Sequence, residues 1–472
     1  MFRHTLALLF LGMLALNLAG SWTLPLLDRD EPRFAEAARE MSERGDFVVP
    51  RFNGDYRFDK PPLIYWCQVA CYAVFGETDW AARLPSALAG AVTVVLIALW
   101  GGRMAGESAG LWAAVMYGTC LQAMIHSKLS LADPLMILWV TAAYWAGWEI
   151  LRPGVHPARE RAWLLFFVAL GFGFLAKGPV AWLPLATWIA GWRRRREWLA
   201  GAAWKLPAGL LLMLGMVAAW GVPAWSRTEG AFLRVGLGRH VVERSLVAME
   251  GHGGEHWFTY LLTLPLYFGT VFLSFAPWSI RLPWLVGPWR RNRLDADQHY
   301  LRHGVLVIFV VFTLVRTKLP HYTLPAFPLL ALWLATEWNK VGGPGRVWHR
   351  TAWGAAVLNL TLGLVVAPLL RPWFLTRSLV AAVAPYVRPG TQVATVDFLP
   401  PSFVWYVRRH SHSFVEPMAP EAARSFMTAP GPRMLALPSH RLDQLGPVPE
   451  GFRRLDVSGF DPGAGGSTRS PR

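Results

Sequence analysis

Ionisable residues are sparse in this sequence, and they gather at a few points between long apolar runs. Asp28, Asp30, Glu31 and Arg33 follow the first run, and Arg57, Asp59 and Lys60 stand just before Pro61-Pro62. Asp133 lies in Ala-Asp-Pro and Lys177 in Ala-Lys-Gly-Pro. Arg239, His240, Glu243, Arg244, His252 and His256 share one stretch, and Lys318, His321 and Tyr322 another. A carboxylate can act as general base on a hydroxyl, lysine and arginine bind phosphate, and a cation or divalent metal stabilises charge on a departing phosphate. Together these groups suit transfer from a phosphorylated lipid. Each also has a plainer use. Asp30 ahead of Pro32 can cap a helix, and Asp133 ahead of Pro134 can begin one. Lys177 and Lys318 can snorkel to an interface, loop histidines can be solvated, and tryptophans at span ends are commonly interfacial anchors.

The elements that must position these groups are membrane spans. Of the 472 residues, 54% are hydrophobic and 16% charged, against about 25% charged in soluble domains. Apolar runs near 20 residues, the length that crosses about 30 Å of hydrocarbon, recur along most of the chain. They place roughly eleven spans at about 5–24, 84–101, 108–126, 131–150, 161–176, 178–192, 206–225, 257–283, 302–315, 322–338 and 352–371. The first run lacks a clear small-x-small cleavage site and reads as an anchor. The three cysteines, Cys67, Cys71 and Cys120, form no CxxC or Cys/His cluster, so neither a zinc finger nor a disulfide framework is suggested.

The net charge of +16 comes from short basic clusters between the runs, which reads as topology rather than nucleic-acid binding. Arg103, Arg152, Arg159, Arg161, Arg193–Arg196, Arg290, Arg291, Arg293, Lys340 and Arg346 fall on one side if the N-terminus is cytoplasmic. The C-terminus then lies outside, as do two long loops, 25–83 and 226–256. Inside the first, Glu31 to Glu43 has helical periodicity through Phe34, Ala37, Ala38 and Met41, and Leu63 to Phe75 reads as an interfacial helix. The chemistry-bearing residues thereby share one face. The membrane part comprises residues 1–371. Beyond it, Thr391–Val396 and Phe403–Val407 read as strands and Glu421–Met427 as a short helix, which makes 372–460 a small α/β domain outside the membrane. Residues 461–472, rich in Gly, Ser and Pro, read as a disordered tail. The fold class is an all-α polytopic membrane protein with amphipathic helices in its first outer loop and this appended domain.

The motifs resemble a known family. Asp30-Glu31-Pro32-Arg33-Phe34-Ala35-Glu36, Gly45-Asp46-Phe47-Val48-Val49-Pro50 and Phe58-Asp59-Lys60-Pro61-Pro62 are similar to the first outer loop of the lipid A aminoarabinose transferases. More broadly the chain resembles bacterial relatives of the protein O-mannosyltransferases, which are C-type membrane glycosyltransferases. The match continues through Leu131-Ala132-Asp133-Pro134, Leu175-Ala176-Lys177-Gly178 and Lys318-Leu319-Pro320-His321-Tyr322. The resemblance implies inverting transfer of a sugar from a polyprenyl phosphate, such as undecaprenyl phosphate, to an envelope acceptor such as lipid A. The reaction would take place on the periplasmic face of a bacterial inner membrane. Asp30 and Asp133 match the catalytic aspartates, and Lys60 a lysine on the lipid phosphate. Arg33, Arg244 and Tyr322 are carried over to the phosphate region, with Lys177 and Lys318 beside them, and Glu31 to the substrate. Asp59 matches a glutamate associated with a divalent metal, with a second-loop histidine, His240, His252 or His256, as co-ligand. The implied partners are a lipid-linked sugar, a lipid or glycan acceptor and membrane lipids, with no nucleic acid. A protein O-mannosyltransferase-like activity and a transporter or flippase of lipid-linked sugars are the alternatives. The absence of an internal repeat and the gathering of charge on one face favour the enzyme over the transporter, and the C-terminal domain shows no motif that would make the chain a scaffold.

Overall fold

In the computed structural model the chain is mostly helical, and residues 2–152, 158–194, 204–236, 238, 257–287, 294–340, 342–343 and 345–459 are described. The longer helices run in chain order as α1 (Phe2–Leu18), α2 (Asp30–Arg44), α3 (Leu63–Phe75), α4 (Asp79–Ala105), α5 (Glu107–Thr119), α6 (Leu121–Lys128), α7 (Asp133–Leu151), α8 (Ala158–Lys177) and α9 (Leu183–Arg194). They continue as α10 (Lys205–Arg227), α11 (Trp257–Thr263), α12 (Leu266–Ser274), α13 (Ala296–Leu314), α14 (Phe327–Lys340), α15 (Arg346–Thr361), α16 (Leu375–Val383), α17 (Pro401–Ser411) and α18 (Pro420–Thr428). Among the described residues, five helical segments are long and apolar enough to cross a membrane: Asp79–Ala105, Asp133–Leu151, Lys205–Arg227, Trp257–Ser274 and Arg346–Trp373. Helices α5 and α6, bent by 65° where they meet, make a sixth if counted as one span. Length and composition alone therefore give fewer spans than the eleven apolar runs. Several runs form helices that are short, such as α9 with 12 residues, or carry charge at an end, such as Arg159, Glu160 and Arg161 in α8.

The chain divides into two compact units. The first holds Met1–Ala19, Phe58–Ile64 and Leu84–Leu360. Its helices cross closely on small residues, the usual device where no hydrophobic force drives helices together in lipid. A Cβ on Gly110 would lie 2.2 Å from the Ala98 carbonyl oxygen and 2.5 Å from the Gly102 nitrogen. A cluster of indoles packs nearby: the rings of Trp112, Trp278 and Trp338 lie 6.1–6.3 Å apart, mostly edge to face. The Trp278 indole N–H donates to the Thr119 hydroxyl at 3.0 Å.

The second unit holds Gly20–Arg57, Tyr65–Arg83 and Thr361–Arg472. Most of the 25–83 loop thus clusters with the C-terminal segment, across the boundary that the sequence suggests near residue 371. Strands β1 (Arg51–Phe52) and β2 (Asp55–Tyr56) form a hairpin. Strands β3 (Gln392–Thr395), β4 (Val415–Pro417) and β5 (Arg433–Ala436) form a parallel sheet in the order β4-β3-β5. Asn53, at φ 53°, turns the hairpin. Its side chain donates to the Val415 carbonyl at 2.7 Å and accepts from the Val415 N–H at 2.8 Å. Ala394, Val396, Ala423, Phe426, Met427 and Leu445 make a small core under α18.

Two sequence readings change here. Phe403–Val407 is not a strand but part of α17, in which Pro401 to Arg408 are all buried. A short apolar run buried on every side carries no period to separate helix from strand. Asp30 is not the N-cap of α2: the cap position is Arg29, which makes no side-chain cap hydrogen bond, and Asp30 begins the helix. There a carboxylate still complements the helix dipole.

Gly110→Ala is expected to destabilise the protein by about 1–3 kcal/mol, because the Cβ meets backbone that cannot swing away. Gly215→Ala, whose Cβ meets nothing within 4 Å, is the control, and differential scanning fluorimetry in detergent distinguishes the two.

Candidate active site

Within the first unit, Asp133, Lys177, His126 and His321 come together. Asp133 opens α7 and Lys177 closes α8, so an antiparallel helix pair brings them to the same end. The Lys177 ammonium donates to Asp133 Oδ1 at 2.5 Å, and side-chain exposures of 15% and 10% make this a largely buried ion pair. His126, in the short α6, and His321, in the 3-10 turn Pro320–Ala326, bring their rings to 5.2 Å. Burial pushes the His321 imidazole down to about 3, with Asp133 pulling the other way, so it is neutral at physiological pH. The charge of Lys60 also reaches His321, and the Lys60 ammonium donates to the Asp59 carbonyl at 3.1 Å.

Lys318 is placed differently from the sequence reading. It is buried, and its ammonium donates to the carbonyls of Thr313 at 2.6 Å and Val315 at 2.7 Å. That is a cation on the carbonyl end of α13, where the helix dipole favours it. Its neighbour Tyr322 packs on Phe312 with ring centroids 5.3 Å apart.

Asp30, Glu31 and Arg33 belong to the second unit, in the first turn of α2. The Asp30 side chain is exposed. Glu31 is 1% exposed, and both its oxygens accept from Arg83, each at 2.8 Å. One of them also accepts the Leu27 N–H at 2.9 Å. Glu31 is therefore an internal ion-pair partner, which corrects its reading as a substrate group.

Among the described residues, His126, Asp133 and His321 form the one group of donors able to hold a metal ion, with ligand atoms within 4.8 Å of one another. His126 Nδ1 lies 3.0 Å from the Gln122 carbonyl. With Nδ1–H donating there, Nε2 keeps its lone pair for a ligand. The Lys177 ammonium already supplies positive charge at the carboxylate of this set. Of the donors that the resemblance implies, Asp59 is described, whereas His240, His252 and His256 lie outside the described residues, as does Arg244. His126 and Arg83 were not singled out by sequence reading. The signal for His126 was an ionisable residue inside an apolar run.

The first unit thus provides an aspartate fixed by a lysine, two histidine rings and a second lysine; the second unit, taken by itself, provides an exposed aspartate at a helix start. A sequence profile described as Dolichyl-phosphate-mannose-protein mannosyltransferase matches residues 59–222, the stretch that holds Lys60, Asp133 and Lys177. The chain is also similar to aminoarabinose transferases. Undecaprenyl phosphate-alpha-4-amino-4-deoxy-L-arabinose arabinosyl transferase 2 of Sodalis glossinidius is 30% identical over 363 residues, covering 74% of this chain and 62% of that relative. The corresponding transferase of Erwinia tasmaniensis is 27% identical over 358 residues, covering 73% and 61%. The chain thus spans less than two thirds of the length of these curated relatives. Its fold is that of ArnT from Cupriavidus metallidurans. The crystal structure bound to undecaprenyl phosphate superimposes with a TM-score of 0.76 at 19% identity and covers 93% of both chains.

Lys177→Met leaves the Asp133 carboxylate buried without its cation and is expected to cost about 3 kcal/mol or more, the scale for breaking one side of a buried pair. Asp133→Asn/Lys177→Met is expected to recover most of that loss. Thermal unfolding of these two variants, of Asp133→Asn alone and of the wild type in detergent measures the coupling.

Proposed function

We propose that the chain is an inverting glycosyltransferase of the bacterial inner membrane that moves a sugar from undecaprenyl phosphate to an envelope acceptor. The favoured pair is 4-amino-4-deoxy-L-arabinose and lipid A. The similarity to transferases named for that donor carries the reading, and the fold shared with ArnT supports it. In this reading the N-terminus is cytoplasmic and the chain crosses the membrane about eleven times by its apolar runs. The first outer loop, the second long loop and the C-terminal α/β segment are then periplasmic.

The donor enters from the bilayer as a lipid. Lys60 meets its phosphate, with Arg33, Arg244 and Tyr322 around the same group, and electrostatic stabilisation of the leaving phosphate is the largest contribution. The acceptor oxygen forms its bond to the anomeric carbon from the face opposite the phosphate. The bond to the phosphate breaks, and undecaprenyl phosphate leaves as an anion. Asp30 takes the proton when the acceptor is a hydroxyl. When the acceptor is a phosphate, already anionic, Asp30 orients it. Asp133, held by Lys177, helps position the acceptor. A divalent cation held by Asp59 and one of His240, His252 or His256 would add charge neutralisation at the leaving phosphate.

The profile match over residues 59–222 favours a second reading, transfer of a hexose to protein. Asp30→Asn is expected to leave a folded protein that transfers no sugar from undecaprenyl-linked aminoarabinose to lipid A in proteoliposomes. Wild-type turnover by that variant sinks the assignment of Asp30. Glycosylated protein in place of modified lipid A, read by mass spectrometry of a deletion strain and its complement, decides for the second reading.

A further inference from the structure

The exposed Asp30 follows a stretch of backbone that is fastened at nearly every residue, and one set of fasteners comes from more than 370 positions away. The Ser402 N–H donates to Asp28 Oδ1 at 2.8 Å, and the Ser402 hydroxyl donates to Asp28 Oδ2. The Thr376 hydroxyl lies 2.8 Å from Ser402 Oγ. The Leu26 N–H donates to the Tyr406 hydroxyl at 2.8 Å, and that hydroxyl donates to Asp79 Oδ2 at 2.8 Å. Ser402 and Tyr406 are four apart, so they share one face of α17. The same helix also grips α2 further along. Arg408 forms ion pairs with Glu36 and, at 2.9 Å, with Glu43, and Arg39 donates to the Trp405 carbonyl at 3.2 Å.

Stability alone does not require this arrangement. Buried ion pairs contribute little net stability relative to apolar packing of the same volume, and their best-attested use is to specify one geometry. Burial, and then repulsion from Glu36, even push the Glu40 carboxyl up, with Arg408 and two backbone N–H groups opposing. The network is dense, long-range and partly unfavourable, and it ends two residues before Asp30 on one side and at Glu31 on the other.

We propose that α17 is a positioning element for Asp30, with Ser402 and Tyr406 setting the backbone from Leu26 to Asp28 and hence the direction in which the Asp30 carboxylate points. The proposal rests on the reading of Asp30 as the acceptor-facing carboxylate. It gives the C-terminal segment a part in the transfer reaction.

Ser402→Ala and Tyr406→Phe each remove one hydroxyl from the full-length protein. In proteoliposomes with undecaprenyl-linked aminoarabinose and lipid A, each is expected to lower kcat about 10- to 100-fold, the scale for a small misplacement of a reacting group. KM for the donor lipid and the thermal midpoint stay at their wild-type values. Ser402→Thr, which keeps the hydroxyl, restores kcat, and Ser425→Ala, at an exposed position of α18, leaves it unchanged. Wild-type kcat in Ser402→Ala and Tyr406→Phe, with Asp30→Asn inactive in the same assay, overturns the proposal and leaves the Asp30 reading intact. A fall in kcat that follows a fall in thermal midpoint, without rescue by Ser402→Thr, also overturns it. An active Asp30→Asn removes the premise.

Discussion

One guanidinium organises the segment that leads into α2. Arg83 has five N–H donors, and five acceptors meet it: both oxygens of Glu31 and the carbonyls of Ser21, Leu24 and Pro25, at 2.7–3.0 Å. Each lies in the same compact unit. A planar fork with fixed directions imposes a shape on the chain that it binds, which a flexible ammonium does not. The segment from Ser21 to Pro25 is drawn around Arg83, Glu31 is held in the first turn of α2, and the chain between them emerges with Asp30 outward. Arg83 is 1% exposed, so its charge is tolerable only while Glu31 stays in place. The geometry of the loop and the satisfaction of a buried charge are one constraint.

The amphipathic period of α2 was legible, because Phe34, Ala37, Ala38 and Met41 recur at helical spacing, and the helix runs Asp30–Arg44. Its polar side was not. Glu36, Arg39 and Glu40 are charged, yet they are 0%, 2% and 1% exposed. Arg408, the partner of Glu36 and Glu40, stands in α17, a helix with the outward look of a strand. Periodicity reports a helix's own faces. It does not report what a segment hundreds of residues away will bring to them, and there the pattern of hydrophobicity stops being a guide to burial.

The same division holds for the candidate site. Asp133 and Lys177 drew notice as ionisable residues at the ends of apolar runs, and the antiparallel packing of α7 on α8 makes them an ion pair. Lys318 drew notice by the same rule but caps the carbonyl end of α13. The rule finds polar groups that must be satisfied near hydrocarbon, and it does not say whether a substrate or a helix end satisfies them. His126 escaped notice within an apolar run, although it packs on His321 beside Asp133. Cations, imidazoles and carboxylates thus gather at the ends of apolar helices, where each must find a partner.

The central claim is that the shape of the Asp30 turn, and not merely its stability, governs sugar transfer. Arg83→Lys tests it most directly, because lysine keeps the charge and loses the fork. With the full-length protein in proteoliposomes, turnover of undecaprenyl-linked aminoarabinose and binding of undecaprenyl phosphate are measured side by side. The account predicts turnover reduced by about tenfold or more, because three donors cannot serve five acceptors, with binding of the lipid phosphate unchanged. Wild-type turnover in a folded Arg83→Lys protein would contradict it.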